Sequence, residues 1–204
     1  MEKIDKLKLE REAQSKGYSF ICGCDEAGRG PLAGPVVVAS VIMPLEEENL
    51  ILGVDDSKKL SEKRREELYG IIVSKAISFR TSIVSEKVID EINILRATKK
   101  GMEDAINNLS VQPDFALIDA TSGLNLVCES KSIIKGDMLS YSIGCASIIA
   151  KVTRDRLMKK ISEKYPAYHF EKHKGYGTKE HIELLKKYGK CEIHRESFIK
   201  HFVW

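Results

Sequence analysis

The chain alternates short β-branched apolar runs with longer segments in which apolar residues recur at helical spacing. The short runs predict strands over residues 18–24, 35–43, 76–84 and 115–119, with a shorter strand over 131–134. The helical segments are 1–18, 61–74, 85–93, 93–109, 138–160 and 178–188, while residues 121–131 fit neither pattern. This order predicts an α/β or α+β fold with a mixed sheet, whose first two strands form a hairpin.

Composition places the chain among ordinary globular proteins. Of its 204 residues, 43% are hydrophobic and 31% are charged, which argues against disorder. The longest apolar run, residues 36–43, is far shorter than the ~20 residues that cross a bilayer. The N-terminus is charged and holds no signal-peptide core, so we expect a soluble, cytoplasmic protein with no membrane span.

The five cysteines indicate buried thiols in a reducing compartment rather than a metal site. No two of them form a CxxC pair. Cys22 and Cys24 are two positions apart in an apolar run, which predicts that they share one face of a strand. His169 and His173 are four apart, but the flanking proline and glycine argue against the helix that zinc binding would need.

Charge is distributed unevenly along the chain. The formal net charge of the whole chain is +3. From Lys151 onward there are 14 basic and 7 acidic residues, a net charge of +7, which leaves −4 on the first 150 residues. A basic C-terminal third on an acidic body suggests an anionic partner, although a solvated basic face is the commoner cause of such a bias.

A glycine-punctuated turn, DEAGRGPLAG, joins the first two predicted strands. It does not match a dinucleotide-binding loop, because its spacing is G-x-G-x-x-x-G, Pro31 removes an amide, and a strand rather than a helix follows. The glycines suit close approach of the backbone to a bulky partner, with Arg29 able to meet a phosphate or a sugar.

Four carboxylates lie at the ends of predicted elements. Asp25 and Glu26 follow the first strand, Asp119 ends a later one, and Asp137 stands at the head of the long helix. Because neighbouring strand residues face opposite ways, Asp25 and Glu26 can serve one site only if Glu26 already lies in the turn. A rigid scaffold could then bring all four together.

Carboxylates gathered in this way would need cations. Two unit charges ~5 Å apart repel by about 3 kcal/mol at an effective dielectric of ~20. Oxygen ligands select hard ions such as Mg²⁺ or Mn²⁺, and two such ions can activate water for phosphodiester cleavage. Each carboxylate also has a structural alternative: Asp137 as a helix cap, Asp119 as an acceptor for turn amides, and residues 25–26 as a solvated turn.

The segment HKGYGT places His173, Lys174 and Tyr176 close to two glycines. Cations beside an exposed aromatic ring suit nucleic acid, since charge meets phosphate and the ring stacks on a sugar or base. The alternative is a flexible basic loop with a packing tyrosine.

Six motifs occur in order over residues 18–200: DEAGRGPLAGPVVVA, DDSKKLS, KGD, ASIIAKVTRDR, YPAYHFEKHKGYGT and IHRESF. Together they closely resemble the bacterial ribonuclease HII family of type 2 ribonucleases H. The resemblance implies one catalytic domain over 1–204 with a ribonuclease H-like α/β fold, in which helices flank a mixed sheet. Residues 1–17 would form a helical extension, and residues from about 160 to 204 a helical, basic substrate-binding portion.

The same resemblance implies an activity. The enzyme would cleave the RNA strand of RNA–DNA hybrids and incise 5′ of single ribonucleotides in duplex DNA, with Mn²⁺ or Mg²⁺ in a two-metal site. The catalytic, metal-binding carboxylates of the family fall on Asp25, Glu26, Asp119 and Asp137.

Substrate-binding positions follow in the same way. The motif that reads the ribose 2′-hydroxyl through its backbone falls on Gly28, Arg29 and Gly30, and the tyrosine that senses the ribonucleotide–deoxyribonucleotide junction falls on Tyr176. Charge and context add three candidate phosphate-binding residues, Lys58, Lys59 and Lys151.

Two features depart from the family pattern, and three other interpretations stay open. The segment after Asp119 is more polar than a strand, and Gly144–Cys145 stands where relatives tend to have alanines.

The sister family ribonuclease HIII usually carries an extra N-terminal domain, for which the 18 residues before the first strand leave no room. A non-catalytic hybrid-binding protein and a metal-dependent phosphatase are the other two. A monomer is the default expectation.

Overall fold

A computed structural model describes residues 5–54, 57 and 59–202. In this part of the chain the strands are β1 (Ile21–Ala27), β2 (Val36–Ile42), β3 (Ser78–Val84), β4 (Phe115–Asp119) and β5 (Glu129–Ile133). The helices are α1 (Lys8–Gln14), α2 (Glu62–Lys75), α3 (Glu86–Ile92), α4 (Ile94–Asn107), α5 (Gly136–Leu139), α6 (Tyr141–Lys164), α7 (Phe170–His173), α8 (Lys179–Tyr188) and α9 (Glu196–Ile199).

The strands form one mixed sheet in the order β3-β2-β1-β4-β5. β1 and β2 are antiparallel neighbours, which confirms the predicted hairpin. β4 runs parallel to both β1 and β5. The parallel pairing of β1 with β4 ends at Cys24 and Ile118, so Asp25 and Asp119 follow at the same end of the two strands.

Helices cover both faces of this sheet, because alternate strand residues point to opposite sides. Ala39 of β2 packs in a cluster with α2 and α6, whereas its neighbour Val38 packs in a cluster with α4. Cys22 and Cys24 both belong to the α4 cluster, as their spacing predicts. The mixed sheet flanked by helices confirms the predicted α/β class.

Close contact between β1 and α6 depends on Gly23. A Cβ at Gly23 would lie 2.1 Å from the carbonyl carbon of Ser142, which is backbone and cannot move aside alone. The missing side chain therefore lets α6 lie directly on the central strand, two residues before Asp25.

The prediction of one continuous helix over residues 138–160 is wrong, because Ser140 adopts an extended conformation and separates α5 from α6. The Ser140 hydroxyl donates to Glu10 Oε1 at 2.6 Å, and the Ser142 amide donates to the same oxygen at 2.9 Å. Glu10 is fully buried, and a carboxylate is favourable at a helix N-terminus. A partner 130 positions away thus sets the break.

Four other predicted boundaries change. β1 extends to Ala27, so Glu26 lies in the strand and the prediction that it lies in the turn is wrong. Asp25 and Glu26 nevertheless line one cavity, so a place in the turn is not needed for them to share a site. Within HFEKHKGYGT, residues 170–173 form the one-turn helix α7 rather than loop. Of the helix predicted over 1–18, only Lys8–Gln14 (α1) is helical among the described residues. β5 takes up residues 129–131, which fitted neither pattern.

Candidate active site

A cavity of about 580 Å³ opens at the end of β1, beyond its last pair with β4. It is bounded by the sheet end, the glycine turn, α2, α6 and the segment before α8. Its lining includes Asp25, Glu26, residues 28–30, Arg65, Ser147, Lys151 and Tyr176.

Asp25 is the most buried carboxylate of this cavity, with 6% of its surface exposed. Its Oδ1 accepts the Glu26 amide at 2.7 Å, and the Ser147 hydroxyl of α6 also bonds to the carboxyl group. Burial raises the pKa of Asp25 well above its ordinary value, and repulsion from Glu26 and Asp119 raises it further. Asp25, Glu26 and Asp119 therefore lie close enough to act on one another.

Asp119 and Asp137 do not line the cavity. Oδ1 of Asp119 accepts the Gly136 amide at 2.6 Å, which ties the end of β4 to the start of α5. Asp137, the next residue, is 8% exposed. It does not cap α5, whose N-cap is Lys135 in a left-handed conformation, so the capping alternative is wrong.

The donor set suits a hard divalent cation. In the described part of the chain, no three His, Cys, Asp or Glu side chains are close enough together to form a ready metal site. Asp25, Glu26 and Asp119 nevertheless offer only oxygen ligands, which Mg²⁺ and Mn²⁺ prefer. Their mutual repulsion, visible in the raised pKa of Asp25, is the interaction that such a cation relieves.

Two buried arginines hold the glycine turn from behind. Arg195 donates from Nε to the Gly34 carbonyl at 2.8 Å, and its Nη1 and Nη2 donate to the carbonyls of Arg29 and Gly28 at 2.9 and 2.6 Å. Burial lowers the pKa of Arg195 to about 9, which leaves its guanidinium protonated at neutral pH. Charge-assisted bonds of this kind are stronger than neutral ones, so the turn is firmly positioned.

Arg154 of α6 extends the same support. It donates to the carbonyls of Pro35 at 2.9 Å, Lys174 at 2.9 Å and Ala33 at 3.2 Å, and thereby joins the turn to the segment before Tyr176. At Gly28 the backbone is left-handed (φ +98°), and a Cβ there would lie 2.1 Å from Arg154 Nε. Glycine is required at this position both for conformation and for space.

The amides of the turn are left for a ligand. The carbonyls of Gly28 and Arg29 bond to Arg195, whereas the amides of residues 28–30 donate to no acceptor among the described residues. These residues line the cavity, so a small nest of N–H donors lies beside the carboxylates. The Arg29 side chain pairs with Glu26 at 3.2 Å.

Tyr176 forms the opposite part of the lining and is 40% exposed. Lys151 Nζ lies 5.8 Å and Arg154 Cζ 5.6 Å from its ring centroid. The other two members of the loop differ from expectation: His173 and Lys174 are each 8% exposed, so the loop does not present a cluster of cations. Its contribution to the surface is the tyrosine ring.

The structure describes two of the three candidate lysines. Lys151 lines the cavity and donates to Asp155 at 2.8 Å. Lys59 is exposed and does not belong to the cavity lining. Lys58 lies outside the described residues.

Comparisons with known proteins agree with this geometry. The sequence profile of ribonuclease HII matches residues 22–201. A ribonuclease HII of Caldicellulosiruptor bescii is 56% identical over 197 residues, which cover 97% of this chain and 95% of that protein. The chain belongs to the ribonuclease HII family.

Solved structures of ribonucleases H share its fold. Ribonuclease H2 of Pyrococcus horikoshii OT3 matches with a TM-score of 0.76 at 29% identity, covering 88% of this chain and 93% of the other. Ribonuclease HII of Archaeoglobus fulgidus, solved in a complex with PCNA, gives a TM-score of 0.72 at 30% identity over 83% and 88% of the two chains.

Membership confirms the resemblance found in the motifs. Ribonucleases HII are metal-dependent endonucleases that cleave the RNA of RNA–DNA hybrids, so this chain is an enzyme and a phosphodiester hydrolase. The interpretation as a non-catalytic hybrid-binding protein is therefore wrong. Among the described residues, no helix combines the length and apolar character needed to cross a membrane.

Sequence reasoning missed four residues of this ribonuclease HII site. Arg154 and Arg195 support the glycine turn, Ser147 bonds to Asp25, and Arg65 lines the cavity. Three of them lie within or beside motifs that carried the resemblance, ASIIAKVTRDR and IHRESF. Neither spacing nor composition distinguishes a buried arginine from a solvated one.

Proposed function

We propose that this ribonuclease HII hydrolyses the RNA strand of RNA–DNA hybrids and incises 5′ of single ribonucleotides embedded in duplex DNA. The products carry a 3′-hydroxyl and a 5′-phosphate. One observation carries the proposal: Asp25 and Glu26 share a cavity with the N–H donors of residues 28–30 and with the exposed ring of Tyr176. A hydrolytic centre and a surface that can read a sugar are thus adjacent.

Asp25, Glu26, Asp119 and Asp137 hold two divalent cations, Mn²⁺ or Mg²⁺. The cations supply an activated water and stabilise the leaving oxygen of a phosphodiester. The repulsion among Asp25, Glu26 and Asp119 supports this role, because it makes the group unfavourable without a cation. Ser147 orients the Asp25 carboxyl from α6.

The glycine turn reads the ribose. Gly28, Arg29 and Gly30 line the cavity while Arg154 and Arg195 bind carbonyls of the turn, which leaves the amides of these three residues to donate to a 2′-hydroxyl. The 2′-hydroxyl is the group that distinguishes RNA from DNA at a given nucleotide. It serves recognition and not attack, which is why the 3′ end is a hydroxyl.

The remaining contacts position the duplex. Tyr176 stacks on the sugar at the ribonucleotide–deoxyribonucleotide junction, where its 40% exposure leaves the ring accessible. Lys151 and Arg65 bind backbone phosphate at the cavity. Lys58 and Lys59 also bind phosphate, a role proposed from their charge and sequence context. The basic portion from about residue 160 to 204 extends this surface, and the enzyme acts as a single-domain monomer in the cytoplasm.

A labelled DNA duplex with one ribonucleotide tests the proposal, with Mg²⁺ or Mn²⁺ added. The controls are an all-DNA duplex, Asp25→Asn, and Asp104→Asn, which makes the same chemical change on α4 outside the cavity. We expect incision just 5′ of the ribonucleotide by the wild type and Asp104→Asn only. Asp25→Asn should still bind a hybrid.

Other results separate the parts of the proposal. Cleavage of a long hybrid without incision at a single ribonucleotide would retain the carboxylate site and reject ribose reading by residues 28–30 and Tyr176. Full activity of Asp25→Asn would reject the carboxylate assignment. A phosphatase would release phosphate from monoesters and leave both duplexes intact.

A further inference from the structure

Three histidines lie beneath the segment that carries Tyr176. His173, His181 and His194 are 8%, 0% and 3% exposed, and none of them lines the cavity described above. The rings of His173 and His181 stack with centroids 4.4 Å apart. The proposed reaction uses none of these side chains.

The hydrogen bonds around His194 fix its tautomer. The Cys191 amide donates to His194 Nδ1 at 2.9 Å, and a backbone amide can only donate. His194 Nδ1 is therefore the acceptor nitrogen, and the ring proton is on Nε2. That nitrogen lies 3.1 Å from His181 Nε2, to which it donates.

The direction of donation continues through His181. Because its Nε2 accepts from His194, the proton of His181 is on Nδ1. His181 Nδ1 lies 2.9 Å from the carbonyl oxygen of Tyr176, to which it donates. The Thr178 amide donates to the same carbonyl at 2.8 Å, so this oxygen is held from two sides.

His173 follows the same rule on the other side of Tyr176. It accepts the Gly175 amide at Nδ1 (3.2 Å) and donates from Nε2 to the Tyr168 carbonyl at 2.8 Å. Each of the three rings thus accepts at one nitrogen and donates at the other, which only the neutral imidazole can do.

We propose that His194 and His181 are positioning residues, which form a directed relay of neutral imidazoles from the Cys191 amide to the Tyr176 carbonyl and set the Tyr176 ring against the substrate. The proposal rests on the proposed function, since it assigns the relay to the tyrosine that reads the junction. His194 directly precedes Arg195, so one short segment supports the Tyr176 side of the cavity and the glycine turn together.

The relay makes a prediction that does not depend on activity. In the wild-type protein labelled with ¹⁵N, ring shifts should show His194 protonated on Nε2 and His181 on Nδ1 at neutral pH. The opposite tautomer at either ring would overturn the relay, because donation could not then run from His194 to Tyr176.

A matched pair of substitutions tests its role. In His194→Gln the side-chain amide can still donate to His181, whereas His194→Asn keeps an acceptor for the Cys191 amide but is too short to donate to His181. We expect His194→Asn to lower kcat/KM about tenfold on the single-ribonucleotide duplex, relative to a long hybrid. His194→Gln should keep the wild-type ratio of the two.

A double-mutant cycle distinguishes positioning from general support. In a Tyr176→Ala background, His194→Asn should change the ratio no further, since the group that it positions is gone. An equal loss on both substrates in His194→Asn, or additive effects in the cycle, would overturn the proposal. A wild type that cuts neither substrate would instead reject the proposed function, whereas the ¹⁵N ring shifts would still test the tautomers of His194 and His181.

Discussion

Arg195 Nη2 donates to the carbonyl oxygen of Gly28 at 2.6 Å, although 167 positions separate the two residues in sequence. With its other two nitrogens on Arg29 and Gly34, one buried side chain binds three carbonyls of the turn. Residues 28–30 of the turn thereby keep a fixed place in the cavity lining, where the ribose is proposed to bind. The C-terminal segment is thus part of the site, although it is far in sequence from the strand that carries Asp25.

Arg195→Lys should destabilise the fold even though it keeps the charge. A lysine ammonium cannot replace a planar fork that serves three carbonyls, and a buried charge with fewer partners is costly. We expect a loss of about 3 kcal/mol in unfolding free energy, measured by urea denaturation. Arg156→Lys, which alters an exposed ion pair with Glu66, should cost less than about 1 kcal/mol. Equal effects of the two would contradict this account of the turn.

Gly23→Ala should disrupt the contact between β1 and α6. The new Cβ would meet the Ser142 backbone at 2.1 Å, so the helix must shift and carry Ser147 away from Asp25. We expect a loss of about 3 kcal/mol or more, together with a loss of cleavage.

Gly70→Ala provides the control for this change. A Cβ at Gly70 meets nothing within 4 Å, and this residue lies inside α2. Alanine there should stabilise by about 0.5–1 kcal/mol, since it is the better helix former. A Gly23→Ala variant as stable as the wild type would show that α6 does not press on β1 in this way.

Elements with strong local signals could be predicted from the sequence. The apolar runs gave the strands and the hairpin, and Ser61 and Ser85 cap α2 and α3 through bonds to amides three residues later. The break before α6 could not be predicted, because it depends on Glu10, which approaches Ser140 only in the folded chain. Local propensity over residues 138–160 favours one continuous helix.

The candidate site divides in the same way. Asp25 and Asp119 could be placed because each lies where an apolar strand ends, and parallel strands put their ends together. Charged residues are usually exposed, which predicts an exposed Lys174. It is only 8% exposed, and its ammonium group donates a hydrogen bond to the Glu171 carbonyl. The arginines behind the turn escape prediction because their partners are backbone carbonyls, which leave no trace in the sequence.

Asp25→Asn should stabilise the metal-free protein while it abolishes cleavage. The folded state raises the pKa of Asp25, so it holds the proton more tightly than the unfolded chain. Ionised Asp25 therefore lowers stability at neutral pH, and this penalty is lost as the pH falls through the raised pKa. An amide removes the charge, and we expect a gain of about 1–2 kcal/mol in chelator, measured by urea denaturation.

With divalent cations present, the wild type should become more stable than Asp25→Asn. A cation at 100 times its dissociation constant stabilises the wild type by about 2.7 kcal/mol, whereas Asp25→Asn should gain much less. Asp104→Asn should respond as the wild type does. If Asp25→Asn were the less stable protein in chelator, burial and repulsion would not make the ionised Asp25 carboxylate unfavourable in the folded state.

Stability should also fall in acid because of His181 and His194. Burial lowers the pKa of each ring to about 4, whereas the unfolded chain takes up the proton near the ordinary value of 6.5. The contribution of each ring is therefore complete above pH 6.5 and is lost as the pH falls from 6.5 to about 4. A proton added to His181 would place two N–H groups face to face across the 3.1 Å contact, and a proton added to His194 would face the Cys191 amide, so the first protonation costs about 3 kcal/mol.

The double variant His181→Asn with His194→Gln isolates the stability that the wild type loses in acid through these two rings. Urea denaturation at about pH 7.5 and about pH 4.5 should show that the wild type loses about 5 kcal/mol more than the double variant over that range, about half of it from each ring. Asp25 contributes with the opposite sign, since acid relieves its penalty, but it does so equally in both proteins and cancels in the difference. Replacing the exposed His201 with Gln should leave the wild-type slope unchanged. Parallel pH profiles of the wild type and the double variant would mean that the rings are not held neutral by the fold.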